Sequence, residues 1–436
     1  MAQAYDAERL DQPAVFELFF RRMPQERNYL VAAGLDDVLT YLEGLRFTDD
    51  DVSYLRGLGM FSPEFLDRLR GLRFTGDVYA VPEGTVVFAN EPLVQIVAPV
   101  LEAQLVETLV LNQIHFQTVA ASKAARVVAA AAGRTVVDFG SRRAHGVDAA
   151  LKVARTSYLA GAAGTSLVLA GKLYGVPVFG TMAHSYIQAH DDEAEAFESF
   201  ARLYPQTTLL VDTYDTLEGV RKVIDLSRRL GERFNVRAVR LDSGDLRQLA
   251  VQTRQMLDAA GLDTVTIFAS SELDEYVIAR MLADGAPIDG FGVGTKLAVA
   301  DGAPRLDMAY KLVEYAGHAR LKLSSHKVLY PGRKQVFRIV EGGRMLRDVI
   351  GRHDEELQGE PLLQPVMRAG ERLAAGRVTL EDARKYARRE LTERLPAALR
   401  RLEPAETPYP VAFSDELQRD LQAMRRALQA QLTPDA

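Results

Sequence analysis

The sequence predicts an α/β fold built on a parallel sheet. Three observations predict it: short apolar runs without polar alternation, helical segments interleaved between them, and polar residues collected just beyond the runs. Runs and helices follow one another as TVVDFG, DAALKVARTSYLAG, GTSLVLAGKLYG, VPVFG, EAEAFESFARLY, TTLLVD, GVRKVIDLSRRLG, VRAVRLD, LRQLAVQTRQMLDAAG, TVTIFAS, DEYVIARMLADG and GFGVG. About six such units favour a closed or nearly closed β/α barrel, with an open doubly wound sheet as the alternative.

The flanking segments read differently. From Tyr29 to about Glu107, the helical pieces GLDDVLTYLEGL and FSPEFLDRLRGL precede VYAVPEGTVVFANEPLVQIVAP, a β-rich stretch punctuated by Pro and Gly, as in an α+β domain. LEAQLVETLVLNQIHFQTVAASKAARVVAAAA carries apolar residues at helical spacing and reads as one or two long buried helices linking two domains. Past Lys311, KLSSHKVLYPGRKQVFRIV returns to a β-like pattern, and a charged, Leu-rich helical tail starts at about Thr379. The expected division is an α+β N-terminal domain over 1–112, an α/β barrel over 113–335, and a C-terminal segment over 336–436 packing on the N-terminal domain.

Composition removes several chemistries. Lys and Arg number 53 against 59 Asp and Glu, a formal net charge of −6 without long runs of either sign, which argues against nucleic acid as a partner. Cys is absent, so disulfides, thiolate nucleophiles and Cys-based zinc sites are excluded. The opening MAQAYDAERLDQ lacks the basic start and apolar stretch of a signal peptide, and no run approaches the ~18 apolar residues of a membrane span. A cytoplasmic enzyme without a membrane partner is expected.

Barrel enzymes carry their chemistry where strands end and helices begin. The residues there are Gly140 to Arg143, Thr165 and Ser166, Thr181 and His184, Asp212 and Asp215, Arg240 to Asp245, Ser270 to Glu272, and Gly292 to Lys296. Any one of them could be an ordinary turn or helix cap. Arginines, aspartates and a histidine at successive strand ends, however, lose solvation unless they meet a partner, and together they suit an anion. GFGVGTKL could form a backbone nest for phosphate, or could need its glycines for the turn alone. In RLDSGDL, Arg240 and Asp242 stand two apart and face one side, which suits a sugar phosphate with Mg²⁺ and equally suits an Arg–Asp pair beside a helix cap.

In their order and spacing, DFGSRRAHGVDAALKVARTSYLAGAAGTSLVLAGKLYGVPVFGTMAHSYIQA, LDSGD, ASSELDE, GVGTKL and PGRKQVFR resemble the nicotinate phosphoribosyltransferases, from about Phe16 to beyond Arg338. The resemblance implies the irregular β/α barrel of the type II phosphoribosyltransferases with an α+β N-terminal domain, in a homodimer with shared active sites. It implies transfer of ribosyl phosphate from phosphoribosyl pyrophosphate to nicotinate in NAD salvage, coupled to ATP hydrolysis through a phosphohistidine. Mg²⁺ would be held mainly by pyrophosphate, with Asp242 or Asp245 as candidate protein contacts.

By the same resemblance, His184 of GTMAHS is the phosphorylated histidine, Asp212 the group that fixes its tautomer, and Asp242 a contact to ribose or Mg²⁺. Phe139 would stack on the pyridine, and Arg142 and Arg240 are the candidates for its carboxylate, which a guanidinium can hold by two parallel hydrogen bonds. Ser166 stands where the related nicotinamide enzymes carry an aspartate, and an aspartate would repel nicotinate. Gly292, Gly294 and Thr295, with Ser270 and Lys296, resemble the 5′-phosphate cradle. The basic string Lys322, Lys327, Arg333, Lys334 and Arg338 resembles one found in the family and is a candidate phosphate contact. Departures are Ser271, Glu272 and Lys296, where relatives often differ, and the opening at MAQAY, inside a family segment resembling LLTDLYQLTMAQAYW whose tyrosine stacks on the pyridine across the dimer; Tyr5 is the substitute candidate. The competing readings are a nicotinamide or quinolinate phosphoribosyltransferase, or an inactive nucleotide-sensing relative.

Overall fold

The computed structural model describes residues 1–323 and 329–432. The chain forms two compact units, one of Met1–Val119 with Arg305–Ala436 and one of Ala120–Pro304. Among the described residues, no helix is long and apolar enough to cross a membrane.

In the first unit, β1 (Pro13–Phe20), β2 (Asp77–Ala80) and β3 (Val94–Pro99) form the middle of a seven-stranded sheet. Every residue of β1 beyond Pro13 is buried, because β3 and a later strand pair with it on either side. Short helices intervene, each with a legible start: Thr48 and Asp51 form a capping box for Asp49–Gly57, and Ser62 caps Pro63–Gly71 with proline in the first turn. Tyr5 lies on the helix Ala2–Ala7 and packs, half-buried, against this unit's core. The long helix α1 (Glu107–Ala130) is a single element, and the boundary between the units falls within it.

The second unit holds the expected alternation. In chain order it runs β4 (Thr135–Asp138), α2 (Val147–Leu159), β5 (Gly164–Thr165), α3 (Val168–Tyr174), α4 (His184–Gln188), α5 (Glu193–Leu203), β6 (Thr208–Leu210), α6 (Thr216–Leu230), β7 (Ala238–Leu241), α7 (Leu246–Ala259), β8 (Thr266–Ser271), α8 (Glu275–Ala283), β9 (Gly290–Val293) and α9 (Thr295–Ala298). All strand pairs are parallel, in the order β5-β4-β9-β8-β7-β6. First and last strands are neighbours, so this is the cyclic order of a β/α barrel opened between β5 and β6, which sets aside the doubly wound alternative. The run VPVFG, expected as a strand, lies in that seam. Thr165 N donates to Pro177 O at 3.0 Å, Phe179 N donates to Thr165 O at 2.9 Å, and Thr181 Oγ1 donates to Thr208 O at 2.6 Å. A single bridge, Thr165 to Val178, is all the ladder this segment makes.

The chain then returns to the first unit. β10 (Met308–Tyr315) pairs with β1, and β11 (Lys334–Glu341) and β12 (Arg344–Arg352) form a hairpin turned by Gly342 and Gly343 at φ +57° and +79°. β13 (Gln364–Arg368) joins β2, so C-terminal residues supply outer strands of the seven-stranded sheet. α10 (Leu380–Arg389), capped by Thr379, and α11 (Asp415–Leu432) complete the helical end. Lys327 lies outside the described residues.

Candidate active site

The ends of β4, β7, β8 and β9 face a cavity of about 200 Å³ lined by Phe139, Arg142, Arg143, Arg240, Asp242, Ser270, Ser271, Glu272, Gly292, Gly294 and Thr295. Its wall is polar on the β7 and β8 side. Arg240 Nε donates to Ser270 Oγ at 2.7 Å and Nη2 to Asp242 Oδ1 at 2.8 Å, while Ser270 Oγ donates to the same Oδ1 at 2.5 Å. Arg240 and Asp242 share a face, as their spacing in the strand demands. Burial would raise the Asp242 carboxyl, but the Ser270 hydroxyl, the Arg240 guanidinium and His184 outweigh it and hold it below the ordinary carboxylate range. Asp242 is therefore an anion at neutral pH.

His184 opens α4 with its side chain partly exposed. Nε2 stands 3.6 Å from Asp242 Oδ2 and Nδ1 is 3.1 Å from Thr213 Oγ1. The carboxylate favours the proton on Nε2, which leaves Nδ1 to accept from the Thr213 hydroxyl. Thr213, which the sequence reading passed over, is thus the neighbour that orients the ring. Asp212, expected in that role, turns the other way: its Oδ2 accepts from Asp242 N at 2.9 Å and Ser243 Oγ at 2.5 Å. It supports the Asp242 loop, and its buried Oδ1 has no hydrogen-bond partner in the structure.

The apolar part of the site is made by Phe139. Its N–H donates to Val293 O at 2.9 Å, its ring lies 5.8 Å from that of Phe268, and the Arg240 guanidinium carbon is 5.4 Å from its centroid. Gly292 must be glycine here, because a Cβ would come 2.5 Å from the Phe139 ring. Phe139 also lines a second cavity, of about 520 Å³, with Phe179, Thr181 and Phe268. At the rim, Ser271 adopts φ +135°, a backbone strain on the order of 1–3 kcal/mol.

Other expected residues fall to either side. Arg142, in the turn Ser141–Arg143, lines the cavity together with Arg143. Ser166 follows β5 half-buried, its N–H donating to Asp138 O at 2.9 Å, and is not among the lining residues. Lys296 is likewise not among them; Nζ meets Asp274 Oδ2 at 2.6 Å, and that bond raises the lysine. Asp245 caps α7, accepting from Gln248 N at 3.1 Å. In the first unit, Arg333 lies 3.9 Å over the Tyr79 ring, Lys334 is buried against Glu17 at 2.7 Å, and Arg338 is buried against Asp348 and Glu390. These three are held by structural partners, and Lys322 borders a separate cavity in that unit.

The family model for the nicotinate phosphoribosyltransferase N-terminal domain matches residues 1–115, that for the nicotinate phosphoribosyltransferase family residues 135–316, and that for the C-terminal domain residues 355–421. A nicotinate phosphoribosyltransferase of Mycobacterium tuberculosis is 63% identical over 434 residues, spanning 100% of this chain and 94% of that protein. The chain belongs to the nicotinate phosphoribosyltransferase family. A Bacillus subtilis member is 43% identical over 374 residues, covering 84% of this chain and 76% of its own. The crystal structure of human nicotinic acid phosphoribosyltransferase superposes with a TM-score of 0.87 at 30% identity, covering 97% of this chain and 98% of that one. A nicotinate-nucleotide pyrophosphorylase from Pyrococcus furiosus gives a TM-score of 0.73 at 25% identity, over 90% and 93% of the two chains. The irregular barrel, its helical C-terminal end and the family expected from the motifs are all borne out.

Proposed function

We propose that this chain transfers ribosyl phosphate from phosphoribosyl pyrophosphate to the ring nitrogen of nicotinate, releasing pyrophosphate, in NAD salvage. The observation that carries this reading is the Arg240–Asp242–Ser270–His184 constellation at the strand ends, beside the Phe139 ring, in a chain similar over its full length to enzymes of that name. The pyridine lies against Phe139, and its carboxylate is held by Arg240 or Arg142. The 5′-phosphate rests on the backbone of Gly292, Gly294 and Thr295, where the first amides of α9 have no intrahelical acceptor. The pyridine lone pair forms the new bond to ribose C1 as the C1–oxygen bond to pyrophosphate breaks. Positive charge grows on the ribose, and the Asp242 carboxylate is placed to oppose it.

His184 is read as the acceptor of the terminal phosphoryl group of ATP: the lone pair of a ring nitrogen forms the bond to phosphorus as the bond from phosphorus to the departing ADP breaks, with Thr213 and Asp242 holding the ring. For Mg²⁺, no group of three or more His, Asp or Glu ligands exists among the described residues. Asp242 and the unpartnered Asp212 Oδ1 suit a cation held mostly by diphosphate oxygens, where it would stabilise the leaving group. Asp245 is engaged as a helix cap. A homodimer with shared sites, with Tyr5 as candidate ring, remains part of this reading on family grounds.

The test is pyrophosphate release by wild type and His184→Ala with nicotinate, phosphoribosyl pyrophosphate and Mg²⁺, with and without ATP. Release stimulated by ATP in wild type alone is expected; no release in either sinks the assignment. Carbon dioxide evolved from quinolinate, or faster turnover of nicotinamide, would transfer it to the competing substrates. Gly292→Ala is expected to displace Phe139 and raise the nicotinate KM about tenfold, a loss of roughly 1.4 kcal/mol in ring binding, read from steady-state kinetics.

A further inference from the structure

Asp138 is fully buried at the end of β4, a costly place for a carboxylate unless both oxygens are occupied. They are. Oδ1 accepts from Gly140 N at 2.8 Å and Oδ2 accepts from Thr165 Oγ1 at 2.8 Å. Its main-chain oxygen accepts from Ser166 N at 2.9 Å, and the Thr165 hydroxyl in turn accepts from Leu167 N at 3.0 Å. Burial raises the carboxyl while the Gly140 and Thr165 bonds pull it back. One side chain therefore ties the turn after β4 to the turn after β5.

Those two turns carry Phe139 and Ser166. Gly140 is packed so closely that a Cβ would come 2.8 Å from Gly294 O, so the Phe139–Gly140 turn has a single place to go. The bond from Gly140 N holds it there, with the Phe139 ring against Gly292 and Arg240. On the other side, Ser166 is bracketed between its own N–H on Asp138 O and the Thr165–Leu167 bond. β5 is only Gly164–Thr165, too short a ladder to fix the following turn by itself, and it borders the open seam of the sheet.

We propose that Asp138 is the positioning residue of the pyridine site: through Gly140 and Thr165 it fixes the place of the aromatic platform Phe139 relative to the Ser166 turn, and so sets the affinity for the pyridine substrate. This rests on the nicotinate reading above. The carboxylate does not touch the substrate; it acts through its two neighbours.

Kinetics of Asp138→Ala, Asp138→Asn and Thr165→Val test it. Asp138→Ala leaves two buried donors unpaired and is expected to raise the nicotinate KM about tenfold or more, with the KM for phosphoribosyl pyrophosphate within about twofold of wild type. Thr165→Val removes the bond to Asp138 and the one from Leu167 N, keeps the Gly140 bond, and should shift the same constant about three- to fivefold. Asp138→Asn keeps an acceptor for Gly140 and a partner for Thr165, and should recover most of the loss. A purely structural acid would instead lower folded yield and leave both KM values alone. Should Asp138→Ala not fold, Thr165→Val decides by itself. Crystal structures of the variants give a reading independent of turnover: displacement of the Phe139 ring or of Ser166 is expected. Unmoved rings with an unchanged nicotinate KM overturn the proposal, whereas a wild type without any turnover overturns the nicotinate reading and leaves the ring displacement to decide this one.

Discussion

Replacing Asp242 with asparagine is expected to lower kcat about 10²- to 10³-fold while moving the melting temperature by only a few degrees. The amide has the shape of the carboxylate and can still accept from Ser270 and Arg240 through its oxygen. The backbone N–H that Asp212 receives from Asp242 is untouched. What disappears is the negative charge, which faces His184 at 3.6 Å and neutralises Arg240 at 2.8 Å. The loss falls on kcat because that charge opposes positive charge that develops only as the C1–oxygen bond breaks. Ser270→Ala is the control: the hydroxyl's bonds from Arg240 Nε and to Asp242 Oδ1 are lost while both charges remain, and a decrease of about tenfold or less should follow. The sign of the pH effect is also set. A carboxyl held below its ordinary value contributes stability above the unfolded pKa and loses it as pH falls through the folded one. Any fall in wild-type activity between pH 7 and 5 therefore belongs to a group other than Asp242. Wild-type kcat in the variant would remove Asp242 from the chemistry.

What could be read beforehand follows from how local each signal is. TVVDF, TTLLV, VRAVRL and TVTIFAS mark strands by composition alone, and the loops after them announce the mouth of the barrel. Arg240 and Asp242 are legible because strand geometry fixes their common face. Asp138 is not: it reads as the last letter of an apolar run, and its role depends on Thr165, 27 residues away. Asp212 and Thr213 are neighbours in a loop, where no periodicity says which side chain turns toward His184. Lys296 looks like a phosphate ligand until folding brings Asp274 to it, a partner set by the α8 cap. The seam between β5 and β6 is invisible for a similar reason. VPVFG has strand composition, yet it makes one bridge to Thr165 on one side and a hydroxyl bond from Thr181 to Thr208 O on the other. The string PGRKQVFR misleads in the opposite sense: its basic residues suggest anions outside, while Lys334 and Arg338 point into the core.

Arg338→Leu is expected to be the most damaging substitution in the first unit, costing about 3–5 kcal/mol. The guanidinium is completely buried on β11. Nε and Nη2 hold both oxygens of Asp348 at 3.0 and 2.7 Å, Nη1 meets Glu390 at 3.1 Å, and Nη2 also donates to Val86 O at 2.7 Å. Its neighbours raise its pKa despite burial, so it stays charged. Leucine, which ends at Cδ, would leave Asp348 and Glu390 buried without their common cation, although Tyr409 still donates to Asp348 at 2.9 Å and Arg394 to Glu390 at 3.0 Å. A melting-temperature loss on the order of 10 °C should follow, and Arg338→Lys should recover only part, since one ammonium cannot reproduce the fork. The same cluster carries a pH signature. Burial first, then the Asp348 charge, raises Glu91 well above an ordinary glutamate, and its Oε1 receives no donor. Protonated, Glu91 can donate a hydrogen bond to Asp348. A carboxyl raised in the folded state contributes stability below its unfolded pKa, and this is lost as pH rises toward the folded value. Glu91→Gln, permanently neutral, should therefore be at least as stable as wild type at pH 8 and flatten the decline of melting temperature between pH 5 and 8. A steeper decline in the glutamine variant would show that Glu91 is ionised in the folded protein and that Arg338 carries three carboxylates rather than two.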